Sequence, residues 1–490
     1  MKENLKETNE NISTEGVTYR KSPTWRIALS QMNNGSATCF YVLMGYASYC
    51  ANQGYGILTA IVGIILTCTR IFDAITDPLV ALILDKMNTR FGKIRIMLGI
   101  GWAIEAISVK FLFDWASGQG HGLGFFVITY LVYVVGYTMQ NVTGQIIGPV
   151  LTNDPKQRPQ VGVWSTVFGY LVPTILTVII MFVLLPKYNN EYSVPMLAEA
   201  STITVIISFI MVVLVMIGVS EADKPENFIG LDGTYQKITF KDMKTALTGN
   251  KPLQMYIVAA SSDKIAQTVA NQSIITTMLY GIVIGNMQIS TILSAIAMVP
   301  GVVFAAFAAK YAGNNGNKET VSLWAKVCIA VAAVIIIFFN VVDTKSIAKF
   351  GLSMVIFVVL QIILNGSKMC ISTANGGMMA DVVDWQYEKS GKYIPGVVSA
   401  TYSFLDKLIS SLGATIATAC VALIGYTSTM PQPTDELTRP IFIMTIALYY
   451  GLPIIGWICS VFAMKASPLS KEAMVEVQRN IAEKKGKMEL

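Results

Sequence analysis

The run Arg70-Ile-Phe-Asp73-Ala-Ile-Thr76-Asp77-Pro78 holds the densest group of chemically able side chains in the chain. Asp73 and Asp77 are four residues apart, so on a helix both carboxylates share one face. Thr76 lies three residues beyond Asp73, and Arg70 three before it. Two adjacent carboxylates in a low dielectric repel, and one would ordinarily take up a proton. A small cation between them removes that penalty, and the Thr76 hydroxyl adds a further hard oxygen donor. The alternative is an Arg70–Asp73 salt bridge that only fixes packing, which leaves Asp77 unexplained.

The elements around these residues are apolar. Of 490 residues, 53% are hydrophobic and 13% charged, about half the charged share of a soluble domain, roughly 25%. Stretches such as Ile203–Val219, Val327–Val342 and Leu352–Leu364, extended to their polar flanks, approach the roughly 20 residues that cross a hydrocarbon core. About twelve such spans are expected. They form two six-span halves, residues 25–219 and 252–464, joined by a hydrophilic middle loop, 220–251. Residues 1–24 and 465–490 read as tails, the first disordered and without the apolar core of a signal peptide. The fold class is an all-α membrane protein. Lysine and arginine concentrate in alternate loops (Lys86, Arg90, Lys93 and Arg95; Lys156 and Arg158; Lys389 and Lys392). That asymmetry puts both termini in the cytoplasm, in a multi-pass protein of the cell membrane. It also accounts for the net charge of +6, with no nucleic-acid partner implied. Seven scattered cysteines lack metal-ligand spacing and read as small apolar packing residues. The single histidine, His121, lies in a loop and excludes a histidine proton relay or a Ser-His-Asp triad. With no nucleophile–base set and no large soluble domain, an enzyme is not expected, nor any cofactor or resident metal.

An ionisable group inside a bilayer costs about 2.5–3.5 kcal/mol, so each polar residue in a span calls for an explanation. In the fourth span Thr138, Asn141 and Gln145 make one stripe at i, i+3 and i+7, beside Tyr137. The tenth repeats it with Gln361, Asn365, Lys368, Ser372 and Asn375, the seventh with Lys264, Gln267 and Asn271, and the first with Asn34 and Thr38. Singly, these could be interhelical hydrogen bonds worth less than about 2 kcal/mol. Their recurrence on every third span is what a fourfold inverted repeat around a cavity produces. Amides and hydroxyls, each offering donors and acceptors, suit a neutral polyol. Asp406 and Lys407 are adjacent in the eleventh span and so point to different neighbours. Lys407 is either a substrate or coupling contact, or half of a buried pair. Asn34, Tyr137, Asn141, Gln145, Gln267 and Lys407 are the candidate substrate contacts.

At these residues the chain resembles the glycoside–pentoside–hexuronide:cation symporter family of the major facilitator superfamily, over roughly Trp25 to Met464. The likeness is carried by Arg70–Pro78 with Asp85–Lys93, by Lys237–Asp242 with Asn250–Leu253, and by Met379–Trp385, Gly391–Gly396 and Tyr402–Lys407. The resemblance implies a major facilitator fold and a cation site made of Asp73, Thr76, Asp77 and Thr138. It also implies a cytoplasmic gate at Asp85, Arg90 and Lys93, with Asp381 and Asp384 as partners; a solvated loop is the alternative there. The sugar half departs from the family's pattern. Asn141 stands for a carboxylate, Gln145 for an aromatic and Thr166 for an arginine, and an amide or glycine among Asn33, Asn34 and Gly35 stands for an aspartate. The expectation is a monomeric symporter of a small sugar or glycoside with Na+ or H+, working by alternating access in the lipid bilayer. The alternative is a carrier of a non-sugar amphiphile such as a lysolipid, or an uncoupled facilitator.

Overall fold

The computed structural model describes residues 10–12, 18–87, 92–152, 157–224, 240–390 and 395–486. The first six long helices are α1 (Thr24–Met44), α2 (Thr59–Lys86), α3 (Ile94–Lys110), α4 (Leu123–Leu151), α5 (Arg158–Val178) and α6 (Val194–Val219). The next six are α7 (Lys251–Ala270), α8 (Gln288–Asn315), α9 (Asn317–Val341), α10 (Leu352–Ser390), α11 (Pro395–Leu423) and α12 (Leu452–Ala466). Among the described residues nine helices are long and apolar enough to cross a membrane, or ten when the pair Ser273–Ile284 and Gln288–Ala297, bent by 110°, is counted as one span. The helices α1 and α7 have 21 and 20 residues. They are of spanning length but fall short in apolarity, because they carry Gln31, Asn33 and Asn34, or Asp263, Lys264 and Gln267.

Regular structure occurs among the described residues near both ends of the chain. Strand β1 (Glu10–Ile12) pairs antiparallel with β2 (Thr18–Arg20). A thirteenth helix, α13 (Lys471–Gly486), packs on α10, where Gln478 donates to Asp384 at 2.6 Å. A short helix, Phe240–Gly249, occupies the end of the middle loop.

The chain divides into two compact units, residues 1–57 with 72–235, and 58–71 with 236–490. Within the first, α1 packs on α4, α5 and α6, and α3 on α4. Within the second, α7 packs on α10, α11 and α12, and α9 on α10. Adding six to each helix number of the first set gives the second, which is the signature of a duplicated six-helix repeat. The opening segment of α2 belongs with the second unit, where Thr67 Oγ1 donates to the Ser411 carbonyl at 2.7 Å and the Thr59 N–H to the Thr427 carbonyl at 3.1 Å.

Lipid tails are as apolar as leucine, so these helices are held by close packing rather than by escape from water. Small residues allow it at equivalent places in both units. A Cβ on Gly218 of α6 would lie 2.8 Å from the Ser30 nitrogen of α1, and one on Gly456 of α12 would lie 2.7 Å from the Ser262 carbonyl of α7. Gly218→Val should therefore overpack the α1–α6 seam and cost about 1–3 kcal/mol. Gly162→Ala, where nothing lies within 4 Å of a new Cβ, should be silent. Thermal unfolding of the two variants in detergent makes the comparison.

Candidate functional site

Helix α2 turns Asp73 and Thr76 inward, both buried, and the two meet Thr138 of α4, which is fully buried. Thr138 Oγ1 donates to Asp73 Oδ1 at 3.0 Å, and Thr76 Oγ1 lies 3.2 Å from Thr138 Oγ1. Thr76 directs its proton to the Asp73 carbonyl at 3.0 Å, a bond inside its own helix. The two threonine hydroxyls, themselves within hydrogen-bond distance, thus cluster their oxygens beside a carboxylate. Asp77 is half-buried one turn along the same face of α2. Such clustered oxygens, one or two of them anionic, are the donor set a hard monovalent cation or a proton takes. All four candidate cation residues lie in the first unit.

The candidate substrate residues sort differently. On α4, a turn below Thr138, half-buried Asn141 and exposed Gln145 form no hydrogen bond among the described residues. Tyr137 stacks on Tyr133 with centroids 6.0 Å apart. Asn34, by contrast, is engaged by the protein itself: its Nδ2 donates to the Ser165 carbonyl at 2.8 Å and to Ser165 Oγ at 3.3 Å, tying α1 to α5. Thr38 donates back to the Asn34 carbonyl at 2.8 Å. Of the first-span stripe, Asn34 thus bonds between helices and Thr38 within its own. Thr166, at the position of the family's arginine, points its hydroxyl at the Gly162 carbonyl, 2.9 Å away on an exposed face.

In the second unit Lys264 of α7 forms an ion pair with Asp406 of α11, whose side chain is 6% exposed. Half-buried Lys407 faces elsewhere, as adjacent residues on a helix must. Gln267 Nε2 donates to Asp263 Oδ1 at 3.3 Å, and the ammonium of Lys368 lies 5.9 Å from the centre of the Trp457 ring. Asp263 belongs to this group, although no stripe in the sequence marks it.

Of the candidate gate, Arg90 lies outside the described residues, as does the side chain of Asp85. Lys392 and the loop residues 225–239 lie outside them too. The start of α3 is held from within its own unit. Asp223, at the end of α6 and 1% exposed, accepts the N–H groups of Lys93, Ile94 and Arg95 at 3.0, 3.1 and 2.9 Å, and the Arg95 side chain at 3.2 Å. A carboxylate there satisfies the orphan donors of the first turn and complements the helix dipole. In the second unit Asp381 accepts from Asn317 at 2.8 Å and Asp384 from Gln478.

Comparison with known proteins speaks to the family and the fold. The family model described as "MFS/sugar transport protein" matches residues 28–471. A glucuronide carrier protein homolog of Escherichia coli is 23% identical over 474 residues, 93% of this chain and 95% of the relative. A glycoside/cation symporter of the same organism, named as putative, is 23% identical over 454 residues, covering 85% and 88%. An uncharacterized symporter of Bacillus subtilis is 22% identical over 413 residues, covering 82% and 84%. Among solved structures, a bacterial homolog of the human lysosomal transporter Spinster superposes with a TM-score of 0.60 at 11% identity, over 92% of this chain and 97% of that one. The nucleoside transporter NupG gives 0.57 at 13% identity, over 92% and 99%. At such identities the superpositions speak for the fold alone. With a family match across nearly the whole chain, the protein belongs to the sugar-transport family of the major facilitator superfamily, in its glycoside–pentoside–hexuronide:cation symporter branch, and is a multi-pass membrane transporter and not an enzyme.

Proposed function

We propose that this transporter is a secondary active symporter that carries a sugar or glycoside together with Na+ or H+ by alternating access. The observation that carries the reading is the meeting of Asp73, Thr76 and Thr138, with Asp77 on the same helical face. Relatives named for glucuronide, glycoside, lactose and isoprimeverose transport support a sugar as cargo.

An empty site with two ionised carboxylates is costly to carry through the bilayer. A bound cation neutralises it and draws α2 and α4 together. Asn141 lies three residues from Thr138 on α4, so one helix touches cation and sugar, and coupling needs no long pathway. Each elementary charge moved contributes about 2.3 kcal/mol per 100 mV of membrane potential, which sustains roughly fifty-fold accumulation at about 1.4 kcal/mol per tenfold. We place the molecule in the cytoplasmic membrane as a monomer, with both termini in the cytoplasm.

The experiment is uptake of labelled glycosides into proteoliposomes under an imposed sodium or proton gradient. Accumulation above equilibrium that collapses with the gradient is the expected result. Equilibration that ignores both gradients would make the protein a facilitator. Thr138→Val keeps the shape of the side chain but removes the donor to Asp73. It should raise the half-saturating cation concentration roughly ten-fold, the lower end of what a lost ligand-positioning group does, and leave the order of preference among sugars unchanged.

A further inference from the structure

Asp263 of α7 and Lys368 of α10 form an acid–base pair that is not closed. Both are half-buried, on helices that pack against each other. Yet no nitrogen–oxygen approach within 4.0 Å joins them among the described residues. Asp263 Oδ1 accepts from Gln267 at 3.3 Å, while Oδ2 makes no hydrogen bond among the described residues. The Trp457 indole, 1% exposed, lies under the Lys368 ammonium and turns its buried N–H toward Asp263 without reaching full hydrogen-bond geometry. Three helices, α7, α10 and α12, thus bring an acceptor, a cationic donor and a neutral donor to one place inside the second unit, with no full hydrogen bond closed among the three.

Charges parted in a low dielectric, and a buried donor left unpaired, are costly unless something completes them. The completing group must donate to a carboxylate and accept from an ammonium. A hydroxyl does both at once, and neighbouring hydroxyls on a sugar ring can also accept from Trp457 and donate to the Gln267 carbonyl. A simple cation would suit Asp263 but not Lys368, and an anion the reverse. We propose that Asp263 and Lys368, with Trp457 and Gln267 beside them, are the sugar-hydroxyl contact of the second unit, bridged by hydroxyls of the transported glycoside. The inference rests on the sugar-symport reading above and adds to it the residues that read the sugar.

The test uses purified full-length protein and four probes: melibiose, lactose, isoprimeverose and 4-nitrophenyl glucuronide. Wild-type protein should be stabilised against heat by at least one probe. Asp263→Asn and Lys368→Gln should each raise the half-saturating concentration of that probe by ten-fold or more, while protection by the coupling cation is retained. To guard against a charge variant that folds poorly, Gln267→Cys supplies a second readout: its alkylation by a maleimide should slow when the same probe saturates the protein. Unchanged probe affinity in both charge variants, or alkylation of Gln267→Cys that ignores the probe, would overturn the assignment while leaving the symporter reading intact. A wild-type protein that responds to none of the probes, in the presence or absence of cation, would overturn both.

Discussion

Asp77→Ala is expected to abolish cation-driven accumulation of substrate while leaving a folded protein in the membrane. The residue sits on the same face of α2 as Asp73, a turn from the Thr76–Thr138 pair, and it is partly exposed, so removing it leaves no large cavity. What is lost is one of the two charges of the proposed cation site. Cation affinity should fall by at least about 100-fold, the upper range seen when even an outer-sphere partner is removed. Without the cation the remaining charge still resists reorientation, so net uptake should stop. Asp73→Asn separates charge from shape, because the amide oxygen can still accept from Thr138. It should lose coupling to a similar degree with little change in thermal stability. Vesicle uptake and a melting curve on each variant check both statements. Undiminished gradient-driven uptake in Asp77→Ala would remove that residue from the cation site.

Asp223→Ala should act on the fold rather than on the chemistry. The carboxylate is buried and holds three backbone N–H groups and the Arg95 side chain. Breaking a buried charged network of this kind costs about 3–5 kcal/mol. Asp223→Asn keeps one acceptor oxygen and should fall between. Gly92→Ala should resemble Asp223→Ala. Gly92 has φ +86°, and a Cβ there would stand 2.1 Å from Asp223 Oδ2. The readouts are the fraction of monodisperse protein on size exclusion and the unfolding temperature in detergent. Identical melting of wild type and Asp223→Ala would mean the α2–α3 loop is anchored elsewhere.

Much of the architecture is legible in the amino-acid order alone, because apolar length and loop charge are one-dimensional properties. The all-helical, apolar character of the chain, with nine or ten of the roughly twelve expected spans, and the shared face of Asp73 and Thr76 follow from them and from helical spacing. The partners across helices do not. Asn34 and Asn141 look alike as polar residues in apolar runs, yet Asn34 is consumed by Ser165 on α5, whereas Asn141 has no hydrogen bond among the described residues. Only the rotation of each helix about its own axis separates the two cases, and composition does not encode it. Asp223 reads only as part of a hydrophilic loop, since its partners are backbone amides about 130 residues away, which leave no trace in side-chain identity. Asp263 is hidden for a related reason. It precedes Lys264, and the eye follows the stripe through Lys264, Gln267 and Asn271, whereas Asp263 and Gln267 form a second stripe one residue around the helix.

Cation binding at the two acids of α2 is proposed to set the affinity for sugar. It is tested most directly by measuring the half-saturating glycoside concentration of purified wild-type protein across a range of sodium, lithium and proton concentrations. Tightening of at least ten-fold with one of these cations, absent in Asp77→Ala, is the predicted result. A glycoside affinity that stays constant across all three, in a protein that still binds the glycoside, would contradict it.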